Sequence, residues 1–294
     1  MKLKFFYLSI CFFVVIQSQG QLGDIAKVDY TNIAKGNAAI AYNRLRLLFN
    51  YPIKLKKEDT YLFLGLDYSN INLRMDENMA FNREDLRDFH LLDINIGYTK
   101  PLKNDWRLGI RLTPGLSSNL TVKDLSIKDV VISSDVVFIK DKTKDTTLTK
   151  PWRLIIGASY SENRGFPFPL PFISFYKKLN PKWSYNLGVP QSNLQYHLSK
   201  VHRLKIIAQL DGFTANLQRG LLVNNTTSAE TINMSLVLTG LRYEHKIANH
   251  LEFYAQAAYI ISNNVRLRDE NRDEIIQLDN ANDLFLRTGV RIKI

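Results

Sequence analysis

The sequence predicts an all-β chain: a closed, antiparallel, up-and-down transmembrane β-barrel of 14 strands, preceded by a cleaved signal peptide. Three observations carry that reading. Hydrophobicity alternates with a period of two, segment after segment. Several segments run to 13 residues or more. Short and long connections take turns along the chain. Successive side chains of a strand point to opposite faces, so alternation means one apolar and one polar face. Ordinary strands are mostly ~5–6 residues, whereas a tilted membrane strand needs ~9–11.

The elements follow in order. Lys2 and Lys4 precede the apolar run Phe5–Ile16, and small residues at Ser18 and Gly20 follow it. This is the layout of an export signal cleaved near Gly20/Gln21, too short for a spanning helix of ~20 residues. Leu8-Ser9-Ile10-Cys11 is a poor lipoprotein signal, because bulky Ile10 stands where a small residue is needed. Residues 1–20 are therefore read as the leader and 21–294 as the barrel. Removing two lysines and no acid lowers the net charge from +11 to +9. The only cysteine, Cys11, leaves with the leader, which excludes a disulfide scaffold and a thiol enzyme.

Strands are expected near 24–34, 38–55, 60–74, 88–101, 105–117, 128–141, 151–162, 170–180, 182–190, 192–199, 203–217, 231–247, 250–267 and 282–294. Trp106, Leu108, Ile110 and Leu112 against Arg107, Gly109 and Arg111 show the pattern at its clearest. The last segment repeats it, with Leu284, Leu286, Val290 and Ile292 against Arg287, Gly289, Arg291 and Lys293. Twelve strands is the alternative count, if the first segment and one short one do not complete the wall. With 24–34 as the first strand, the short connections 56–59, 102–104, 142–150, 181, 200–202 and 248–249 share one side. The longer ones, 75–87, 118–127, 163–169, 218–230 and 268–281, share the other, where the brief links at 35–37 and near 191 are the exceptions. Outer-membrane barrels place short turns at the periplasm and long loops outside.

Trp106, Trp152 and Trp183 are each the first apolar-phase residue after a short turn. With Tyr98 at the same level and Tyr160 toward the long-loop end, they are the candidate membrane girdle. On the polar phase stand Arg44, Arg46, Arg107, Arg111, Arg153, Lys205, Arg287 and Arg291, against Asp67, Asp93, Asp211 and Glu252. If this face lines the lumen, two outcomes are open. Rings of arginine give a narrow pore favouring small anionic solutes. Arginines paired with carboxylates give a filled, closed barrel.

Other chemistry is poorly represented. His90, His197, His202, His245 and His250 stand at no metal-ligand spacing, and no phosphate loop or Gly-x-Ser-x-Gly is present. No cofactor is expected. Asp269-Glu270-Asn271-Arg272-Asp273 begins like a calcium loop but lacks the glycine at its sixth position (Glu274) and the final glutamate (Asn280). It reads as a solvated loop. Asn119-Leu120-Thr121 and Asn225-Thr226-Thr227 match the glycosylation pattern by chance in a bacterial chain. The positive charge is spread along strands without a basic cluster, which argues against nucleic acid.

The leader, the turns Asn104-Asp105-Trp106 and Asn180-Pro181-Lys182-Trp183, the loop Gly165–Pro171, Gly188-Val189-Pro190 and the terminal strand Leu284–Ile294 resemble Gram-negative outer-membrane β-barrel proteins, in particular a barrel family of unknown function. Many such barrels end in an aromatic residue, and this chain ends in Ile294. The resemblance implies a cell outer membrane location, with outer-membrane lipid and lipopolysaccharide around the wall and the barrel-assembly machinery as partner during biogenesis. It supplies no catalytic residue. The alternatives are an outer-membrane lipid-modifying enzyme (hydrolase or acyltransferase) marked by a lipid-facing Ser–His pair, or a secreted soluble β-barrel ligand binder.

Overall fold

The computed structural model describes residues 24–34, 40–75, 83–120, 125–166, 168–224, 227–279 and 281–293. The expected leader and its cleavage site, the terminal Ile294 and most of the Asn225 sequon lie outside these residues.

Fifteen strands run in chain order: β1 (Asp24–Ile33), β2 (Ile40–Lys54), β3 (Tyr61–Met75), β4 (Asp88–Pro101), β5 (Trp106–Ser118), β6 (Val130–Asp141), β7 (Trp152–Ser161), β8 (Leu170–Lys178), β9 (Trp183–Val189), β10 (Gln191–His197), β11 (His202–Asn224), β12 (Thr227–Lys246), β13 (Leu251–Arg268), β14 (Glu274–Asp279) and β15 (Leu284–Lys293). Each pairs antiparallel with its chain neighbour except around β14. There β13 pairs with β15, and β15 closes on β1 from Asp24↔Lys293 to Ile33↔Phe285. The ring therefore has 14 strands. β14 stands outside it, bonded to β13 over Val265–Arg268, above the stretch that β15 uses.

Turn chemistry explains why the short connections are short. Asn104 and Asp105 both take positive φ, 57° and 62°, and the amide of Leu102 donates to the Trp106 carbonyl at 2.7 Å. Asparagine and aspartate tolerate that conformation, and two such residues in succession match the twist of a hairpin. At the next turn Oδ1 of Asn180 accepts from the amides of Lys182 (2.9 Å) and Trp183 (2.8 Å), with Pro181 between them. Both side-chain chemistries reverse the strand within a few residues.

Outward positions are greasy and uncovered, including Leu66 at 53% exposure, Phe49 at 52% and Ile132 at 51%. Inward positions are polar and buried, as with Asp29 at 2% and Glu244 at 0%. This is the reverse of a soluble β-sandwich, whose apolar faces meet each other. No helix among the described residues is long and apolar enough to cross a membrane, which says nothing about crossing by strands.

The expected long loop at 218–230 is corrected. β11 and β12 run to 23 and 20 residues and continue as a hairpin to Asn224↔Thr227. The expected loop at 268–281 likewise contains β14. Strand lengths are uneven around the ring, since β8, β9 and β10 have only 9, 7 and 7 residues.

Candidate functional site

The top of the β11–β12 hairpin leaves the wall and crosses the mouth at the long-loop end. Asn216 pairs in parallel with Ser118 of β5, although five strands separate β11 from β5 around the ring. Ser117 Oγ donates to the Thr214 carbonyl at 2.6 Å, and the Asn119 amide donates to the Asn216 carbonyl at 3.2 Å. The bend begins at Gly212, whose φ is +138° and where a Cβ would overlap the Met234 carbonyl. Only glycine takes that conformation without cost.

Below the hairpin the mouth is filled by a hydrophobic cluster. Phe213 packs its ring 6.2 Å from Tyr42 and 5.6 Å from Phe89, with Leu73, Leu217, Leu236 and Phe285 buried around them. A 3₁₀ turn at Ile127–Asp129 locks the hairpin from the side. Asp129 accepts from Asn216 Nδ2 (2.7 Å), Gln218 Nε2 (2.8 Å) and the Ser126 amide (2.8 Å). Burial alone would raise the Asp129 pKa. The bonds from Ser126, Gln218, Asn216 and Ser118 outweigh it and hold the carboxyl below its ordinary value. Asn119, the first sequon residue, is spent in this seal, donating to the Asp85 carbonyl at 2.8 Å and accepting from the Gln218 amide at 3.0 Å.

Midway down, the arginines read from the sequence meet carboxylates. Arg46 grips Asp67 through Nε (2.8 Å) and Nη2. Arg111 Nε donates to Asp135 at 2.6 Å, and Ser159 bonds the same carboxylate. Arg287 reaches Asp211 at 2.9 Å and Asp29 at 3.7 Å. Arg44 donates to Ser69 Oγ at 2.9 Å and faces Asp211 at 3.8 Å. A second knot lies nearer the short turns. Glu244 takes Lys205 (2.9 Å), Arg203 (3.0 Å) and Arg291 (2.7 Å), while Glu252 takes Lys293 (3.0 Å), Arg203 and Arg291. Of the expected carboxylates, Asp93 meets Asn163 Nδ2 at 2.8 Å. The partners Asp29, Asp135 and Glu244 were not among those expected.

Two of the named arginines stand apart at the short-turn end. Arg107 donates to the Asp59 carbonyl (2.6 Å) and Thr99 Oγ1 (3.2 Å). Arg153 makes no ion pair among the described residues, and its Nε is buried without a partner. Arg164, absent from the sequence reading, lines a cavity of about 360 Å³ with Arg46, Asp67, Asp93 and Phe168.

The short-turn end is hollow. One cavity of about 460 Å³ is lined by Arg153, Lys200, Arg203, Lys246 and Lys293 against Asp24 and Glu252, with His197 and His250. Beside it a cavity of about 370 Å³ is lined by Pro52, Phe63, Val137, Ile139, Ile155 and Phe172 above Arg111 and Asp135.

Ser184 Oγ and His197 Nε2 are 2.9 Å apart, a spacing a hydrolase could use. Both lie on the inward phase, and Ser184 is fully buried, so this pair does not face lipid. His202, Tyr243 and His245 cluster on the outward phase, with the two imidazoles stacked at 4.6 Å. Among the described residues no group of three or more His, Cys, Asp or Glu could hold a metal. Asp269 Oδ1 accepts from the amides of Asn271 (2.9 Å) and Asp273 (2.8 Å), which closes a tight turn.

The girdle candidates sit on the outward phase. Lys140 Nζ lies 5.7 Å from the Trp106 ring, Trp152 lies 6.4 Å from Phe175, and Trp183 lies 4.8 Å from Tyr196. Tyr98 stands between Leu62 and Ile110, and Tyr160 donates to Glu162 at 3.2 Å near the long-loop rim.

These features define a closed antiparallel β-barrel with an apolar exterior and a lumen filled at one end. The chain belongs to the family described as a domain of unknown function, DUF6268, which it matches over residues 27–293. No curated protein matches it. Among solved structures it is similar to the NanC porin (TM-score 0.40, 11% identity, covering 92% of this chain and 100% of that one). It is also similar to the Pseudomonas putida toluene transporter TodX (TM-score 0.37, 9% identity, 94% and 90% covered). A third is the outer membrane phospholipase A from Escherichia coli (TM-score 0.33, 11% identity, 91% and 92% covered).

Proposed function

We propose that the protein is an outer-membrane β-barrel of a Gram-negative cell that receives a small anionic solute at its periplasmic, short-turn end and is shut along its axis at the other. Export by the leader at residues 1–20 delivers it there, with lipid and lipopolysaccharide around the wall and the assembly machinery as its partner in biogenesis. The exposed apolar band supports the membrane reading over a secreted soluble binder, because a contiguous greasy surface of this extent aggregates in water. Short turns at the periplasm set the orientation.

One observation carries the solute: five lysines and arginines against two carboxylates line the open cavity at the short turns. The mid-lumen arginines are spent on carboxylates, so they act as fill rather than as a charged ring. An enzyme acting on lipid needs its nucleophile at the outer wall, and Ser184 is sealed inside.

Planar-bilayer recording tests the reading. Refolded protein is expected to show no steady open current. A variant with residues 217–230 replaced by a tight Asn-Gly turn is expected to pass current with anion preference. A steady wild-type current, or a trimmed variant that prefers cations, overturns it. Outer-membrane fractionation and heat-modifiable gel mobility check the location and the closed wall.

A further inference from the structure

The two hollows at the short-turn end are chemically unlike, and they adjoin. Asp24 lines both. On β7 the inward neighbours Arg153 and Ile155 line one each. Successive inward positions of a strand lie about 7 Å apart, so the basic and the apolar surfaces meet within the reach of one small molecule. We infer that this junction is a binding site for a small amphiphile with a singly charged anionic head and an apolar body. The inference rests on the proposed opening of the vestibule to the periplasm and names the class of solute it receives.

Three points argue for an amphiphile over a compact hydrophilic anion. Pro52, Phe63, Val137, Ile139, Ile155 and Phe172 gather on inward positions where most of the lumen is polar. Left in water, that surface costs free energy, and an apolar body covering it recovers the loss. Cavities of about 370 and 460 Å³ lie within the range that small-molecule ligands occupy.

The third point is the state of the cations. Arg203 and Lys293 are committed to Glu252, and Lys205 to Glu244. Arg153 has no such partner, and its Nε is buried without a hydrogen bond. A buried donor left unsatisfied is costly, and an anionic head supplies the missing acceptor. Asp24 stands at the junction as a fixed negative charge. It suits a head of one charge better than a dianion.

Equilibrium dialysis of decanoate against the barrel in neutral phosphatidylcholine nanodiscs, with empty discs subtracted, tests the site. Decanoate is expected to bind saturably and acetate is not. Arg153→Ala is expected to weaken decanoate about tenfold, as for one lost charge-assisted contact, and to leave decanol unchanged. Arg153→Lys is expected to restore part of the loss. Val137→Trp, which fills the apolar hollow, is expected to weaken decanoate and decanol alike. The site is overturned if decanoate shows no saturable binding, or if Arg153→Ala binds it as the wild type does while heat-modifiable mobility shows a folded barrel. Either failure leaves the axial seal standing, since that is read from bilayer current.

Discussion

The two ends of the lumen are made of opposite materials, although the same strands supply both. β11 turns Arg203 and Lys205 inward at the short turns, and Phe213, Ala215 and Leu217 at the long-loop end. β2 turns Tyr42 inward beside the plug and Arg44 and Arg46 toward the middle. β15 goes from Phe285 to Arg291 and Lys293. On these three strands the inward phase is graded, apolar at the long-loop mouth and charged toward the short turns. A barrel can therefore carry a conventional hydrophobic core in one half of its interior and a charged hollow in the other.

The sharpest way to break this contrast is at the core. Phe213→Ala removes a ring that touches Tyr42 and Phe89 in a fully buried site. It is expected to cost about 3–5 kcal/mol in denaturant unfolding from bilayers and to raise the leak current. An unchanged midpoint would show that the plug is ornamental. Next comes the charged half. Glu244→Gln leaves Lys205, Arg203 and Arg291 facing one another around a neutral group. The expected loss is about 3 kcal/mol, as for a broken buried pair. Its mark is salt dependence, which the Phe213 variant should lack.

The smallest effect concerns the lock on the hairpin. Asp129 has its folded pKa below its unfolded value, so its stabilisation is complete above the ordinary carboxylate range, about 4, and is lost as pH falls toward the folded value. Amide protection in the upper part of β11 and β12, taken relative to the intrinsic exchange rate at each pH, is expected to fall at acid pH in the wild type. Asp129→Asn should show the reduced protection already at neutral pH, with a cost of about 1.5–3 kcal/mol. A variant with wild-type exchange at both pH values removes the lock.

Much of this was legible in the sequence. Apart from the upper ends of β11 and β12, the ring strands were located to within two residues, because sustained period-two alternation has one geometric meaning. Trp106 and Trp183 were placed by the Asn104-Asp105 and Asn180-Pro181 turns before them, and Trp152 by the connection that ends at Pro151. β14 was missed because Ile275 and Ile276 are adjacent apolar residues without alternation in a strand of six. The crossing hairpin was missed for a related reason. At Gly212 the apolar phase changes faces, from Leu204, Ile206 and Leu210 before it to Phe213, Ala215 and Leu217 after it, and that reversal reads as the end of a strand until the bend is seen. The arginines were legible as inward-facing, but their partners were not. Arg287 meets Asp29 only because the last strand lies against the first, a contact that local sequence cannot carry.

That same seam sets the order in which the molecule can be made. With β1 zipped to β15 along its whole length, the first strand has no permanent neighbour on one side until the final residues of the chain arrive. The nascent polypeptide must therefore travel with an open edge, and completion of the cylinder is a single late event governed by the most distant pairing in the molecule.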